Sequence, residues 1–145
     1  MEKIFIVKNS NFKESQYTSI IKIFGDSHSL CFLGNCDRTK YIEVEYNNKK
    51  FCIINNYADS VSISGLIKDK SRTNYNNYIK NNLNKENKYY NLFKMGQVDV
   101  EYIYYYKNLV KNENINFDKF VDKLTDNYVN FIKNINANII ICGIN

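Results

Sequence analysis

Residues 21–32 read IKIFGDSHSLCF, and this stretch decides how the rest of the chain is interpreted. The apolar run over residues 19–24 has the length and composition of a buried β-strand, and it stops at Gly25, a residue that favours a tight turn. The turn places Ser27 directly before His28, the only histidine of the chain. We therefore expect a small, hydroxyl-bearing loop at the end of a buried strand.

Four more segments have strand patterns. Residues 88–96 (KYYNLFKMG) are aromatic and apolar, and residues 136–145 (NANIIICGIN) contain a short, continuous apolar run. Residues 41–46 alternate between apolar and polar side chains, and residues 49–57 resume an extended pattern after a turn of two asparagines. The second pair is typical of a β-hairpin.

Helical patterns lie between the strands. Over residues 117–135 apolar side chains recur at steps of three and four, and Asn116 stands in the N-cap position, which predicts an amphipathic helix. Residues 100–111 have nearly helical spacing, residues 72–86 are weakly helical, and residues 59–69 predict a loop entering a short helix. Continuous apolar strands alternating with helices predict an α/β sandwich with a mainly parallel sheet.

Composition limits the class of protein. A chain of 145 residues is expected to form one domain, and 44% apolar with 24% charged residues is typical of a globular protein. The net charge is +5, but lysines alternate with acidic residues, which disfavours nucleic-acid binding. The acidic start and the absence of an apolar run of about 18 residues predict a cytoplasmic protein with no membrane partner.

The cysteines predict an intracellular protein without a metal site. Cys31, Cys52 and Cys142 stand in apolar company, Cys36 does not, and no Cys-x-x-Cys pair occurs. We expect buried, reduced thiols and no zinc.

The loops that follow the apolar segments resemble the conserved blocks of the SGNH/GDSL hydrolases. Residues 23–29 (IFGDSHS) resemble the first block, and residues 60–66 (SVSISGL) resemble the second. Residues 93–101 (FKMGQVDVE) stand where the third block, Gly-x-Asn-Asp, is expected. The order and spacing agree, over about residues 19–145. The family consists of α/β sandwich enzymes, a flavodoxin-like three-layer arrangement, that mostly cleave esters and remove acyl groups from lipids or carbohydrates.

The resemblance implies a role for each block. Ser27 is the implied nucleophile that forms an acyl-enzyme, held at a strand-to-helix turn. The backbone N–H groups of Ser27 and Gly65, with the block at Gly96, are implied to bind the oxyanion. Three further residues are expected to support these loops: Gly25, Asp26 and Asp99. No cofactor or metal is implied, and the expected substrate is an acylated small molecule or carbohydrate.

Two departures from the family pattern predict an impaired or inactive enzyme. Val98 stands at the position of the third-block asparagine and has no donor to offer, so Gln97 would have to substitute from another direction. The family takes its base from a C-terminal Asp-x-x-His block, which we do not find within residues 1–145. Adjacent turn residues point in different directions, so His28 is not expected to serve Ser27 as a base. We interpret residues 1–145 as a single hydrolase-like domain, shortened at its C-terminus.

Other interpretations of the same residues remain open. Asp26 or Ser27 could simply cap a helix, and Asp99 could be the N-cap of the helix that follows it. A run of four tyrosines is interpreted as packing, with a stacking platform for sugars or bases as the alternative: Tyr102, Tyr104, Tyr105 and Tyr106. The alternative function is a non-catalytic remnant that binds a carbohydrate or a protein. Residues 136–145 are also expected to leave an exposed edge strand that favours self-association.

Overall fold

A computed structural model describes residues 5–7, 13–33, 41–68 and 71–143. One sheet contains six strands: β1 (Phe5–Val7), β2 (Ser19–Gly25), β3 (Tyr41–Tyr46), β4 (Lys49–Asn55), β5 (Tyr89–Lys94) and β6 (Ile139–Cys142). Their order is β1-β3-β4-β2-β5-β6. The expectation for Cys36 lies outside the described residues.

The sheet is mixed, with a parallel half and an antiparallel half. Strands β4, β2, β5 and β6 are parallel, whereas β3 pairs antiparallel with both β1 and β4. The hairpin predicted from residues 41–57 is confirmed, and its two-residue turn has positive φ at Asn47 (49°) and Asn48 (58°). Positive φ at both turn residues matches the twist of the flanking strands, and asparagine tolerates it well. Strand β1 was not predicted from the sequence.

The helices occupy the predicted connections. They are α1 (Ile63–Leu66), α2 (Tyr75–Asn82) and α3 (Phe117–Lys133). Residues 97–110 form a further helix, here called the π-rich helix, because it is π-helical over Asp99–Ile103 and Tyr106–Val110. The 3₁₀ stretch Ser27–Leu33 is here called the turn segment, and a second 3₁₀ stretch covers Glu14–Gln16.

The N-cap predicted for α3 is confirmed. The Oδ1 atom of Asn116 accepts a hydrogen bond of 3.1 Å from the backbone N–H of Lys119. This bond satisfies one of the donors that the first helical turn leaves free. The local sequence signal therefore sets where the longest helix of the described chain begins.

One face of the sheet, here called the helix face, carries the larger core. Phe24 of β2 and Phe93 of β5 are fully buried there, with ring centroids 5.3 Å apart. All three α-helices and the π-rich helix pack over them. The buried helical side chains are Ile63, Leu66, Tyr75, Ile79, Phe120, Leu124, Tyr128 and Ile132.

The other face, here called the opposite face, has a smaller core. Ile23, Ile42 and Leu92 are buried there, and Leu30 and Phe32 of the turn segment pack on them. Among the described elements, the turn segment is the helical one that supplies this cover. The fold is therefore α/β, as the sequence predicts, with an uneven distribution of helices between the two faces.

One expectation about the thiols is wrong. Cys31 is exposed rather than buried, because it lies on the outer side of the turn segment. Cys52 is fully buried, and its burial raises the pKa of the thiol to about 12. Cys142 is half-buried against the opposite-face core.

Candidate active site

The chain order of the parallel strands directs three loops to one point. Strand β2 lies in the middle: β4, which follows it in the chain, pairs with one side of β2, and β5, which comes later, pairs with the other side. In open α/β sheets such a reversal creates a crevice outside the carboxyl ends of the strands, where ligands bind. The loops that follow β2, β4 and β5 all begin at this edge.

A cavity of about 530 Å³ lies at this edge of the sheet. It is lined by Ser27 of the turn segment, by Ser62 and Gly65 at α1, and by Val98 and Tyr102 of the π-rich helix. Residues from all three sequence blocks therefore meet in one cavity, although Gly65 is far from Ser27 in the chain. Gly96 is buried at the end of β5 and does not line the cavity.

Ser27 is exposed at the start of the turn segment, and the residues before it fix the turn. A Cβ atom at Gly25 would collide with the carbonyl oxygen of Lys94 on β5 and with the Cβ of Ser29. Glycine is therefore needed here because two backbones approach closely. Asp26 is fully buried, and its Oδ1 accepts a 2.9 Å hydrogen bond from the backbone N–H of His28.

His28 lies between two carboxylates. Its Nδ1 is 3.1 Å from Oδ1 of Asp26, and its Nε2 is 3.5 Å from Oε2 of Glu101. Glu101 also accepts a hydrogen bond from the side-chain amide of Gln97, which is the group that would have to replace the missing asparagine. Within the described part of the chain, no side chain hydrogen-bonds to Ser27. The imidazole is therefore held by carboxylates and not by the serine.

The backbone N–H of Gly65 is engaged within its own turn. Ser62 is the N-cap of α1, and its Oγ accepts a 3.0 Å hydrogen bond from the N–H of Gly65. The hydroxyl of Ser62 lines the same cavity. The same N–H also donates to the carbonyl oxygen of Ser62 at 3.1 Å, so it is not free to bind an oxyanion in this arrangement.

Asp99 has a different role from the N-cap that the sequence suggests. It lies inside the π-rich helix, which begins two residues earlier, and it is fully buried. Its carboxylate accepts hydrogen bonds from the backbone N–H of Ile63 (2.7 Å) and of Ser64 (3.1 Å). Burial is the main cause that raises the pKa of Asp99 above its ordinary value, and these hydrogen bonds oppose it. Asp99 thus ties the third block to the second.

Gly96 makes the turn between β5 and the π-rich helix. Its φ of 108° lies in a region that side chains with a Cβ rarely adopt. Its carbonyl oxygen accepts the N–H groups of Asp99 and Val100, each at 3.1 Å. The glycine predicted for the oxyanion loop therefore sets the direction in which Val98 enters the cavity.

Sequence reasoning missed a hydroxyl that joins two of the loops. The N–H of Gly25 donates a 3.1 Å hydrogen bond to Oη of Tyr75, and that hydroxyl donates to the carbonyl oxygen of Asn56. The Oη of Tyr78 donates to Oδ1 of Asn56 at 3.1 Å. Tyr75 is buried, which raises the pKa of its hydroxyl. No local pattern reveals such a contact, because its partners lie far apart in the chain.

The tyrosine run divides between packing and exposure. Tyr104 packs against Phe117 and Phe120, as predicted. Tyr102, in contrast, is 64% exposed at the cavity, with its ring stacked 6.0 Å from that of Tyr106. Tyr102 therefore packs at the rim of the cavity, against Tyr106, and not in the core.

The loop before α2 supplies polar lining that the sequence interpretation also missed. Ser60 on the loop after β4, together with Ser71, Arg72 and Thr73, lines the cavity. Arg72 is the only charged side chain among the described residues that line it. The signal available in the sequence was the hydroxyl-rich string SRT at residues 71–73.

The described residues contain neither a metal-binding cluster nor a membrane-spanning helix. No group of three or more His, Cys, Asp or Glu side chains there is placed to hold a metal ion. None of the described helices has the length and apolar character needed to span a membrane.

Comparison of the chain with protein-family models, with curated proteins and with solved structures gave no match. The proposed function therefore rests on the residues of the cavity and their geometry.

Proposed function

We propose that this chain is an SGNH/GDSL-type serine ester hydrolase or deacylase of low activity. The observation that carries the proposal is the cavity, where Ser27, Gly65 and Val98, each from a different sequence block, lie together. The parallel order β4-β2-β5-β6 supports the three-layer, flavodoxin-like sandwich of that family, because it reverses at β2 as such folds do.

The proposed reaction proceeds through an acyl-enzyme. The Oγ of Ser27 attacks the acyl carbonyl and loses its proton, the alcohol leaves carrying a proton, and water then releases the carboxylic acid. The backbone N–H of Ser27 is proposed to donate to the oxyanion. Solvent water is proposed to accept the proton of Ser27, because His28 is held by Asp26 and Glu101 and no other base among the described residues contacts the serine.

Three features reduce the expected rate. The side chain of Val98 cannot donate a hydrogen bond, the N–H of Gly65 is engaged by Ser62, and no base among the described residues contacts Ser27. Losing a member of a catalytic triad costs on the order of 10⁴ to 10⁶ in rate, although some catalysis over water remains. We therefore expect turnover that is measurable only with activated esters.

The cavity lining favours a substrate with negative charge. Arg72 is exposed at the rim, and among the described residues no carboxylate forms an ion pair with it. Five serine and threonine hydroxyls complete the polar lining. Guanidinium and hydroxyl donors bind carboxylate or phosphate oxygens well, so we propose an acylated small molecule or carbohydrate that carries an anionic group.

The proposal is tested with 4-nitrophenyl acetate and a matched pair of serine variants. Ser27→Ala removes the proposed nucleophile, and Ser71→Ala removes another hydroxyl of the same cavity. We expect slow turnover that is lost in Ser27→Ala and kept in Ser71→Ala. Labelling by a fluorophosphonate, located by peptide mass spectrometry, is expected at Ser27. Equal turnover in the wild-type chain and in Ser27→Ala would sink the proposal.

A second candidate function is a non-catalytic module that binds a carbohydrate through the same cavity. The observation that favours it is that His28 and the N–H of Gly65 are engaged elsewhere. The exposed ring of Tyr102 offers a face on which a sugar could stack. Binding of an acylated sugar that Tyr102→Ala abolishes, without turnover and without labelling of Ser27, would select this function.

Location in the cytoplasm is part of both proposals. It rests on the free thiols of Cys31, Cys52 and Cys142.

A further inference from the structure

We infer that a second cavity, on the far side of α1, binds a small organic anion with an apolar body. This cavity measures about 450 Å³ and is lined by the end of α1, the second half of the π-rich helix and the first turns of α3. Ser64 lines it, whereas its neighbour Gly65 lines the first cavity. The inference does not depend on the proposed hydrolase activity.

The cavity has an apolar floor. Phe120 and Leu124 of α3, which belong to the helix-face core, form part of its lining together with Ile115. Ile67 at the end of α1 adds an apolar side chain that is 45% exposed. A ligand that covers the exposed side chain of Ile67 removes apolar surface from water, which favours binding.

The rim carries an excess of positive charge. Among the described lining residues there is one carboxylate, that of Glu113, and there are four lysines: Lys68, Lys107, Lys119 and Lys123. Glu113 is occupied by Lys107, at 3.2 Å. Among the described residues, no carboxylate lies within 4.0 Å of the other three lysines. The described lining residues therefore carry a formal net charge of +3, from four lysines and one glutamate.

Lys119 and Lys123 are four residues apart on α3, so they are neighbours on its surface. Like charges at this spacing destabilise a helix slightly. An anion between them and Lys68 converts this repulsion into attraction, and the partly enclosed site screens such an interaction less than open water does. Binding of an anion therefore relieves the repulsion between Lys119 and Lys123.

The wall opposite α3 is held in place before any ligand arrives. The side chain of Asn108 donates to the carbonyl oxygen of Ile115 (2.9 Å) and accepts the N–H of Ile115 (2.6 Å). The N–H of Glu113 donates to the carbonyl oxygen of Lys107 at 3.1 Å. A wall ordered in advance lowers the entropy cost of binding.

These features define the ligand class. An apolar floor favours an alkyl or aromatic body, and the lysine rim favours a carboxylate or phosphate head. The volume falls in the range of small-molecule pockets, about 300 to 1,000 Å³. The structure thus assigns this cavity to amphipathic anions of small-molecule size.

The test is an NMR titration of the full chain with four matched compounds below their micelle concentrations. Octanoate and octyl phosphate have both head and body, octanol has only the body, and inorganic phosphate has only the head. We expect saturable shifts at residues of the cavity with octanoate or octyl phosphate, and the tighter of the two identifies the head group. The inference would be overturned if octanol or inorganic phosphate bound as tightly as octanoate and octyl phosphate.

Variants locate the site. Combined Lys119→Gln and Lys123→Gln substitutions keep polar side chains one atom shorter than lysine and remove two charges, and we expect an affinity about tenfold weaker. The matched control is Lys133→Gln in the last turn of α3, which lies outside the cavity. Ser27→Ala should leave the affinity unchanged. Equal loss in Lys133→Gln would show charge attraction without a site, and no loss in the double variant would show that Lys119 and Lys123 do not hold the anion; either result would contradict the inference.

Discussion

The central residues of the helix face and of the opposite face of the sheet are equally buried, but by different means. Phe24 and Phe93 on the helix face and Ile23 on the opposite face are all nearly inaccessible to solvent. The helix face is covered by four helices that come from distant parts of the chain. The opposite face, among the described elements, is covered by the turn segment, which directly follows β2.

This difference teaches where long-range order resides in the protein. The hydrogen bonds of Ser29 in the turn segment are local, since it bonds to Asp26 through both its N–H and its hydroxyl. On the helix face, Tyr75 bonds to Gly25, and Asp99 bonds to Ile63. The candidate active site depends on the second kind of contact, so changes on the helix face should disturb it most.

The largest expected effect is on the cores themselves. Phe93→Ala should lower the free energy of unfolding by about 3–5 kcal/mol, because four packed helices cannot collapse into the cavity that forms. Leu92→Ala on the opposite face is the matched change, and we expect about 2 kcal/mol, since a short turn segment can settle onto the gap. Urea denaturation followed by circular dichroism measures both. A larger loss for Leu92→Ala would break the comparison.

The next effect concerns one buried hydroxyl on each face. Tyr75→Phe leaves the N–H of Gly25 and the carbonyl of Asn56 without a partner, and should cost about 1–3 kcal/mol. Ser29→Ala removes a single local bond to Asp26 and should cost about 1 kcal/mol or less. Denaturation curves give both values. Fluorophosphonate labelling of Ser27 should also be weaker in Tyr75→Phe than in the wild-type chain. Equal labelling would show that Tyr75 does not help to position Ser27.

A third effect is a change in the pH dependence of stability. The pKa of Asp99 is raised in the folded state, chiefly by burial, so folding favours the protonated carboxyl. Its contribution is therefore complete below the unfolded pKa, near 3.8, and is lost as pH rises through the folded pKa. Asp99→Asn should remove this fall in stability with rising pH.

The measurement for Asp99 is the free energy of unfolding as a function of pH in both chains. Asp122→Asn, which removes an exposed carboxylate from α3, controls for the change in net charge. The wild-type and Asp99→Asn curves should differ in slope between the unfolded and the folded pKa of Asp99. The upper end of that pH interval therefore gives the folded pKa. Parallel curves for these two chains would show that Asp99 is not the group responsible.

The smallest effect on stability is expected at β6, where the two faces meet the edge of the described sheet. Ile140 pairs with Leu92 and Ile141 with Phe93, so they point to different faces, and they are 40% and 51% exposed. Exposed apolar edges invite pairing with another chain. Ile141→Lys should change the free energy of unfolding by about 0.5 kcal/mol or less, yet reduce self-association.

Light scattering after size-exclusion chromatography measures that association. Val129→Lys, an equivalent change at an exposed position of α3, is the control. If wild-type chains remain monomeric at every concentration, the edge is not an association surface. If both variants reduce association equally, added charge rather than the edge is the cause.

The sequence by itself determined the elements with strong local signals. The strand ending at Gly25, the hairpin with its Asn47-Asn48 turn and the Asn116 cap of α3 were all predictable. Each rests on neighbouring residues, through periodicity, turn conformation or a side chain reaching two or three residues ahead. The α/β class followed from the alternation of these elements.

Only the tertiary structure decided how the loops meet and what each polar side chain does there. It placed His28 between Asp26 and Glu101, turned Asp99 toward α1, and left Cys31 exposed. The contact of His28 with Asp26 is local, but its contact with Glu101 and that of Asp99 with Ile63 depend on which element packs beside another. Periodicity gives the face on which a residue lies, but the partner across that face is set by the packing of the whole sheet and its helices.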